Sequence, residues 1–220
     1  MKRAGLAAGM AAFVIGVPSA LGAPPHSSIS IAVGPRAVLF GWFTTVSGHV
    51  SGNRAPGAAV TLQVKPSGSK AYSSVARGFA SSAGNYSFRY YPLSGNVTVR
   101  VVAKTSPTAT SPGVFVGVLP AVGLRVGTTH PRKGQRVAFT GIVSPAFNGR
   151  QVWFQRRTVN GGWRTVAATT LFPATPGSHG PRSQYFRRLT INRSGTFRVV
   201  LPAPPGWLAN RSRTRTLIVH

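Results

Sequence analysis

The side chains of this 220-residue chain that could do chemistry are mostly guanidiniums. The chain holds 26 Lys and Arg, with 21 Arg to 5 Lys, and not one Asp or Glu. The planar fork of Arg pairs bidentately with phosphate or carboxylate, whereas Lys acts as a point charge. Without carboxylates there are no paired acids for glycoside cleavage, no Ser-His-Asp triad and no carboxylate-held calcium or magnesium. The chain has no Cys, which excludes thiol nucleophiles, thiolate metal sites and disulfides. The five His, at 26, 49, 130, 179 and 220, lack metal-ligand spacing, and no nucleophile elbow accompanies a Ser. The reading is a non-enzyme with no catalytic residue, no metal and no cofactor. Side-chain salt bridges are impossible, so every cation must meet water, a backbone carbonyl, an aromatic face or an anion from outside.

The basic residues are unevenly spread, with eight between Ala23 and Pro120 and sixteen from Ala121 onward, fifteen of the latter being Arg. On the segment 150–157, Val152 and Phe154 claim the core, which turns Gln151, Trp153, Gln155 and Arg157 outward. On 196–200, Phe197 and Val199 point in and Arg198 points out, into the neighbourhood of Trp153. An aromatic, two amides and guanidiniums on one face suit stacking on a sugar ring while bonding its hydroxyls or an attached anion. Arg211, Arg213 and Arg215 also alternate, but Leu217 and Val219 share their parity. Either the register shifts near Thr216 or these Arg lie beyond the core's end. Trp207 either caps the end of the second core or faces a ligand.

The elements that must position these residues read as strands. The start, Met1-Lys2-Arg3, then Ala4 to Val17 without a polar side chain, then Ala20 and Gly22, has the parts of a signal peptide over 1–22. Its apolar stretch is short for a membrane span, and after Ala23 no segment reaches 18 apolar residues, so no transmembrane segment is expected in the mature chain. An internal repeat follows. Ser47-Gly48-His49-Val50-Ser51 matches Thr140-Gly141-Ile142-Val143-Ser144, and Val60-Thr61-Leu62-Gln63 matches Val152-Trp153-Phe154-Gln155. Tyr72 aligns with Trp163 and Tyr86 with Tyr185, while Ser94-Gly95-Asn96-Val97-Thr98-Val99 aligns with Ser194-Gly195-Thr196-Phe197-Arg198-Val199. Period-two alternation, Val, Thr, Phe and Tyr enrichment and Gly/Pro punctuation make each copy a set of short strands, with Asn160-Gly161-Gly162 as a hairpin turn. The fold class is all-β: two tandem immunoglobulin-like β-sandwich domains, over 23–120 and 121–220, after the signal peptide. Leu119-Pro120-Ala121 is a short linker, which implies a stiff end-to-end arrangement. The Pro/Gly-rich segments Thr105–Gly113 and Phe172–Ser183 read as exposed connections.

Phe139-Thr140-Gly141-Ile142-Val143-Ser144-Pro145, Phe154-Gln155-Arg156-Arg157, Gly162-Trp163-Arg164-Thr165-Val166-Ala167 and Ser194–Val200 resemble Ig-like repeats of secreted actinobacterial proteins. The resemblance implies the sandwich fold, export and a spacer, adhesion or accessory role rather than an activity. Members of that family often carry an Asp in the turn before the Gly of Ser81-Ser82-Ala83-Gly84-Asn85-Tyr86, and this chain does not.

The functional expectation is an extracellular, envelope-associated protein. Gln151, Trp153, Gln155, Arg157, Arg198, Arg211, Arg213 and Arg215 are its candidate ligand-binding residues. The expected partners are an anionic wall polymer, an acidic polysaccharide or the anionic membrane surface, with nonspecific nucleic-acid binding in vitro. The alternatives are a structural spacer or adhesion module without a specific ligand, and a carbohydrate-binding module built on Trp153. The missing carboxylates carry a stability consequence, because their protonation is the usual source of acid denaturation. The thermal midpoint, followed by circular dichroism, is expected to stay nearly flat from about pH 6 to about pH 2.5, with His protonation the main remaining perturbation. A steep acid transition overturns this.

Overall fold

Alternation of apolar and polar residues makes short strands wherever Gly, Pro and Ser interrupt it, and the computed structural model follows that punctuation. It describes residues 26–220; the signal-peptide reading of 1–22 lies outside them. Among the described residues the chain is all-β. The first half runs β1 (Ser28–Ile29), β2 (Ala32–Gly34), β3 (Ala37–Leu39), β4 (Thr44–Ser51) and β5 (Ala59–Pro66). It continues with β6 (Ser73–Phe79), β7 (Asn85–Tyr90), β8 (Val97–Ala103), β9 (Ala109–Thr110) and β10 (Val114–Leu119). The second half has β11 (Ala121–Val122), β12 (Arg125–Val126), β13 (Gln135–Ser144), β14 (Gln151–Arg157) and β15 (Trp163–Thr170). It ends with β16 (Phe172–Gly177), β17 (Gly180–Ile191), β18 (Gly195–Leu201), β19 (Asn210–Arg211) and β20 (Arg215–Leu217).

Each half places two sheets over a core, a sandwich-like arrangement. In the first, β4 pairs with β1, β2 and β7, opposite the sheet β3-β10-β8-β5-β6. Only the β3–β10 pairing there is parallel. In the second, β13 carries β11 and β12 and continues to β17 and β16, opposite β15-β14-β18 with β19 and β20 on β18. The first core is largely valine, with Leu62 and Tyr86. The second is aromatic: Phe139 lies 5.9 Å from Phe154 and 5.4 Å from Phe197, and Phe154 lies 5.6 Å from Tyr185. Among the described residues no helix is long and apolar enough to cross a membrane.

One part-buried bond recurs in both halves. Gly48 stands opposite Tyr86 across β4 and β7, and Gly141 opposite Tyr185 across β13 and β17. The Tyr86 hydroxyl donates to the Ser30 carbonyl and the Tyr185 hydroxyl to the Gly123 carbonyl, each at 2.5 Å. A Cβ at Gly48 or Gly141 would collide with both the hydroxyl and the accepting carbonyl oxygen. Glycine there is a matter of space, since a bare backbone lets the phenol cross to the segment that follows the first strand of its half.

Two sequence expectations need correction. Phe172–Ser183 is not a loop: β16 and β17 pair across it and turn at Gly177–Gly180. Pro173 and Pro176 are tolerated because β16 is an edge strand with no outer neighbour needing their missing N–H. The last aligned segment is also out of step. Gln63 is opposite Arg100 in the first half and Gln155 is opposite Arg198 in the second, so the counterpart of Arg198 is Arg100, not Thr98.

The two tyrosines give a stability prediction. Burial pushes the Tyr86 phenol up to about 12 and that of Tyr185 up further. The folded state therefore holds these protons more tightly than the unfolded chain, whose phenols ionise near pH 10. Their contribution is complete below about pH 10 and falls as pH rises toward 12. Tyr185→Phe is expected to cost about 1 kcal/mol in urea unfolding, because it removes the bond to the Gly123 carbonyl. It should also weaken the alkaline loss of stability; an unchanged midpoint would refute the role given to this bond.

Candidate functional site

The outer face of the sheet β15-β14-β18-β19 gathers most of the candidate residues, and the alternation within β14 decides which ones. Val152 and Phe154 are buried, so Gln151, Trp153, Gln155 and Arg157 take the other face as expected, with Trp153 at 39% exposure. Cross-strand register extends this face sideways. Ala168, Trp153, Val200 and Arg211 form one row across four strands, and Thr165, Gln155 and Arg198 form the next. Trp163 stands opposite Arg157 at the end of the sheet.

Arg198 is in this face but is not free. Its Nε donates to Gln155 Oε1 at 2.8 Å, and its guanidinium lies 4.0 Å from the centre of the Trp163 ring. The expected neighbour was Trp153, yet Trp153 pairs with Val200 and the stacking partner is Trp163. The same device exists in the first half, where Arg100 Nε donates to Gln63 Oε1 at 2.9 Å and stacks 3.9 Å from the Tyr72 centroid. Gln155 and Arg198 therefore form a repeated staple across the middle of a sheet, and the amide substitutes for the missing carboxylate. Partial burial and then the neighbouring Arg211 lower the Arg198 pKa.

The terminal arginines divide. Arg211 pairs with Val200, and Arg215 pairs with Phe197. Between these pairs three residues, 212–214, face only two, 198 and 199, so the strand carries one extra residue there. The break lies at Ser212–Thr214 rather than near Thr216. Ser212 is buried at it, accepting a bond from Val199 N and donating one to the Arg213 carbonyl. Arg198, Arg211 and Arg213 consequently border one shallow groove with Val200. Arg215 has crossed to the face it shares with Phe197. With Arg213 it borders a second groove, against Leu124, Ile142 and Phe172 of the other sheet.

Other cations are satisfied without an acid. Arg182 donates to the Thr175 and Pro176 carbonyls, and Arg89 lies 4.3 Å from the Phe43 ring centre. His49 is exposed, as expected. Ser81 Oγ accepts a bond from Asn85 N, so a hydroxyl caps the turn where the resembled repeats often place an Asp. Among the described residues no group of three or more His, Cys, Asp or Glu could hold a metal ion.

Trp207 is half-buried against the first core rather than capping the second. It packs across the halves, 5.8 Å from Phe40 and 5.4 Å from Phe147. Asn96 N donates to the Gly206 carbonyl at 2.7 Å, Leu208 N to Val118 at 3.0 Å and Asn210 Nδ2 to Pro120 at 2.7 Å. A side chain at Gly95, where φ is +102°, or at Gly117 would strike the Gly206–Leu208 segment.

No family model matches this chain, and no curated protein does. Among solved structures it is similar to the crystal structure of a tetra-tandem repeat in the extending region of a large adhesion protein. The identity is 18% and the TM-score 0.37, over 88% of this chain and 50% of that one, so this chain spans about half of that structure's length.

The Trp163 stack was absent from the sequence reading, although the aligned pair Tyr72 and Trp163 carried its signal. Arg198→Ala is expected to cost about 1 kcal/mol through the lost stack and amide bond, and to shift tryptophan fluorescence. Arg211→Ala, lacking both contacts, should leave stability within about 0.5 kcal/mol. Equal effects of the two substitutions would remove the distinction between staple and free cation.

Proposed function

We propose that this is a non-enzymatic, exported protein of two immunoglobulin-type sandwiches, 23–120 and 121–220, that holds anionic polymers at the cell envelope. Three features support the two-sandwich reading: the parallel β3–β10 pairing against an otherwise antiparallel sheet, the recurrent tyrosine bond and the two separate cores. The observation that carries the function is the outer face of β15-β14-β18-β19. There Gln151, Trp153, Arg157 and Arg211 are exposed together, in a chain with no side-chain carboxylate to neutralise them. Arg198 and Gln155 stiffen that face. Trp153 offers an aromatic plane for a sugar ring, and the free guanidiniums offer forks for phosphate or carboxylate groups along a chain.

A second reading, a spacer without a specific ligand, is supported by the seam. Three hydrogen bonds and the Trp207 contact join the halves, so a force applied at one end passes through packed residues rather than a free linker.

Retention on an immobilised phosphate-rich wall polymer separates the two. Retention is expected at about 0.1 M salt and elution well before about 1 M, as the screening length falls from ~10 Å to ~3 Å. Arg157→Gln with Arg211→Gln should move elution to lower salt, and Trp153→Ala should weaken binding to a glycan-bearing polymer. No retention at low salt leaves the spacer reading, and retention undiminished in molar salt overturns the electrostatic one.

A further inference from the structure

A concentration of unneutralised charge lies at the mouth of the second sandwich. Arg156 is on β14 but on the inward side, opposite Arg164 of β15 and Phe197 of β18. Phe197 is buried, so Arg156 sits where the core ends and solvent begins. Its Nη2 donates to the Ser194 carbonyl at 2.6 Å and reaches the Arg193 carbonyl at 3.4 Å. Its Nε is buried and has no acceptor among the described residues. Gly195 leaves the space for this arrangement, since a Cβ there would run into the guanidinium. Burial first, and then the charge of Arg193, lower the Arg156 pKa.

Two adjoining clefts meet at this guanidinium. One, of 370 Å³, is lined by Arg156, Arg193, Asn192 and Phe197, and the other, of 610 Å³, by Arg156, Arg193, Arg164, Arg157, Thr158 and Thr165. Like charges directly opposite on paired strands destabilise a sheet, and here Arg156 and Arg164 are so placed with Arg193 beside them. The fold does not require the cluster. In the first half the position of Arg156 is held by Val64, which pairs with Ser73 and Val99 just as Arg156 pairs with Arg164 and Phe197. A buried valine fills the mouth there.

We propose that this mouth is a binding site for a phosphate group, held by Arg156, Arg164 and Arg193. Guanidiniums from β14, β15 and the turn before β18 border one cleft, where a tetrahedral oxyanion can accept from three separate forks. A dianion offsets the mutual repulsion of the three. Arg157 and Thr165 of the outer face border the second cleft, but the three guanidiniums that hold the phosphate are not those of the proposed function, and the site does not depend on that reading.

Isothermal titration of the full chain with inorganic phosphate, in about 0.15 M salt to screen diffuse binding, tests it. One saturable equivalent is expected. Arg164→Gln and Arg193→Gln should each weaken it roughly tenfold, the loss of one charged hydrogen bond, and Arg211→Gln should leave it unchanged. Arg156→Val installs the residue of the first half, so it should fold with undiminished thermal stability and lose saturable binding. Competition by a short poly(glycerol phosphate) would assign the ligand to a polymer, and its failure to compete would assign it to free phosphate. Absence of a saturable equivalent, or equal weakening by Arg211→Gln, overturns the site. If wall polymer is not retained while phosphate still saturates, the envelope reading fails and the site stands. The reverse result removes the site alone.

Discussion

A guanidinium has five N–H donors, and nothing in this chain offers a side-chain carboxylate to accept them. The way the fold meets that constraint shapes its surface. Backbone carbonyls accept from Arg156 and Arg182, glutamine oxygens accept from Arg100 and Arg198, and aromatic rings cover the faces of Arg89, Arg100 and Arg198. These contacts cost less desolvation than a buried ion pair and leave part of each fork unused. The guanidiniums without such partners, Arg157 and Arg211 among them, remain available to an anion from outside. The proposed function and the stability thus draw on one residue type, separated by whether an amide or a ring is within reach.

The rigidity that any surface site needs comes from contacts of long sequence separation. Tyr86 and Tyr185 reach Ser30 and Gly123, tying a late strand of each half to the segment after its first. The segment from Pro202 to Leu208 then ties the second half to the first through Trp207 and the Gly206 carbonyl. Glycines at 48, 95, 117 and 141 make these approaches possible by having no side chain to displace. A composition rich in glycine is consistent with close packing here, not with looseness.

Much of the candidate face was legible because period-two alternation is a local signal. Val152 and Phe154 on one side of β14 leave Gln151, Trp153, Gln155 and Arg157 on the other whatever the neighbours are. The misalignment of Arg198 with Thr98 shows the limit of that signal. A slip of two residues keeps every side chain on its face, so hydrophobic pattern cannot detect it. Only the pairing of Gln63 with Arg100 and of Gln155 with Arg198 exposes it. The C-terminal arginines were illegible for a related reason. An extra residue at Ser212–Thr214 reverses parity, and the buried Ser212 that accommodates it looks in sequence like any polar loop residue.

Composition and alternation alone determined that the chain is built of strands, that no acid-dependent catalysis is open to it, and that its cations need partners other than acids. Tertiary structure decided which cations already have partners. Arg156 and Arg157 are adjacent in sequence, yet one turns into the mouth of the sandwich and the other onto its outer face. Arg198 is stapled while Arg211, one strand away, is not. Trp207 belongs to the first core's packing although it lies about 90 residues beyond that half. Strand direction is a local property of the backbone, whereas the company a side chain keeps depends on which distant strand is laid beside it.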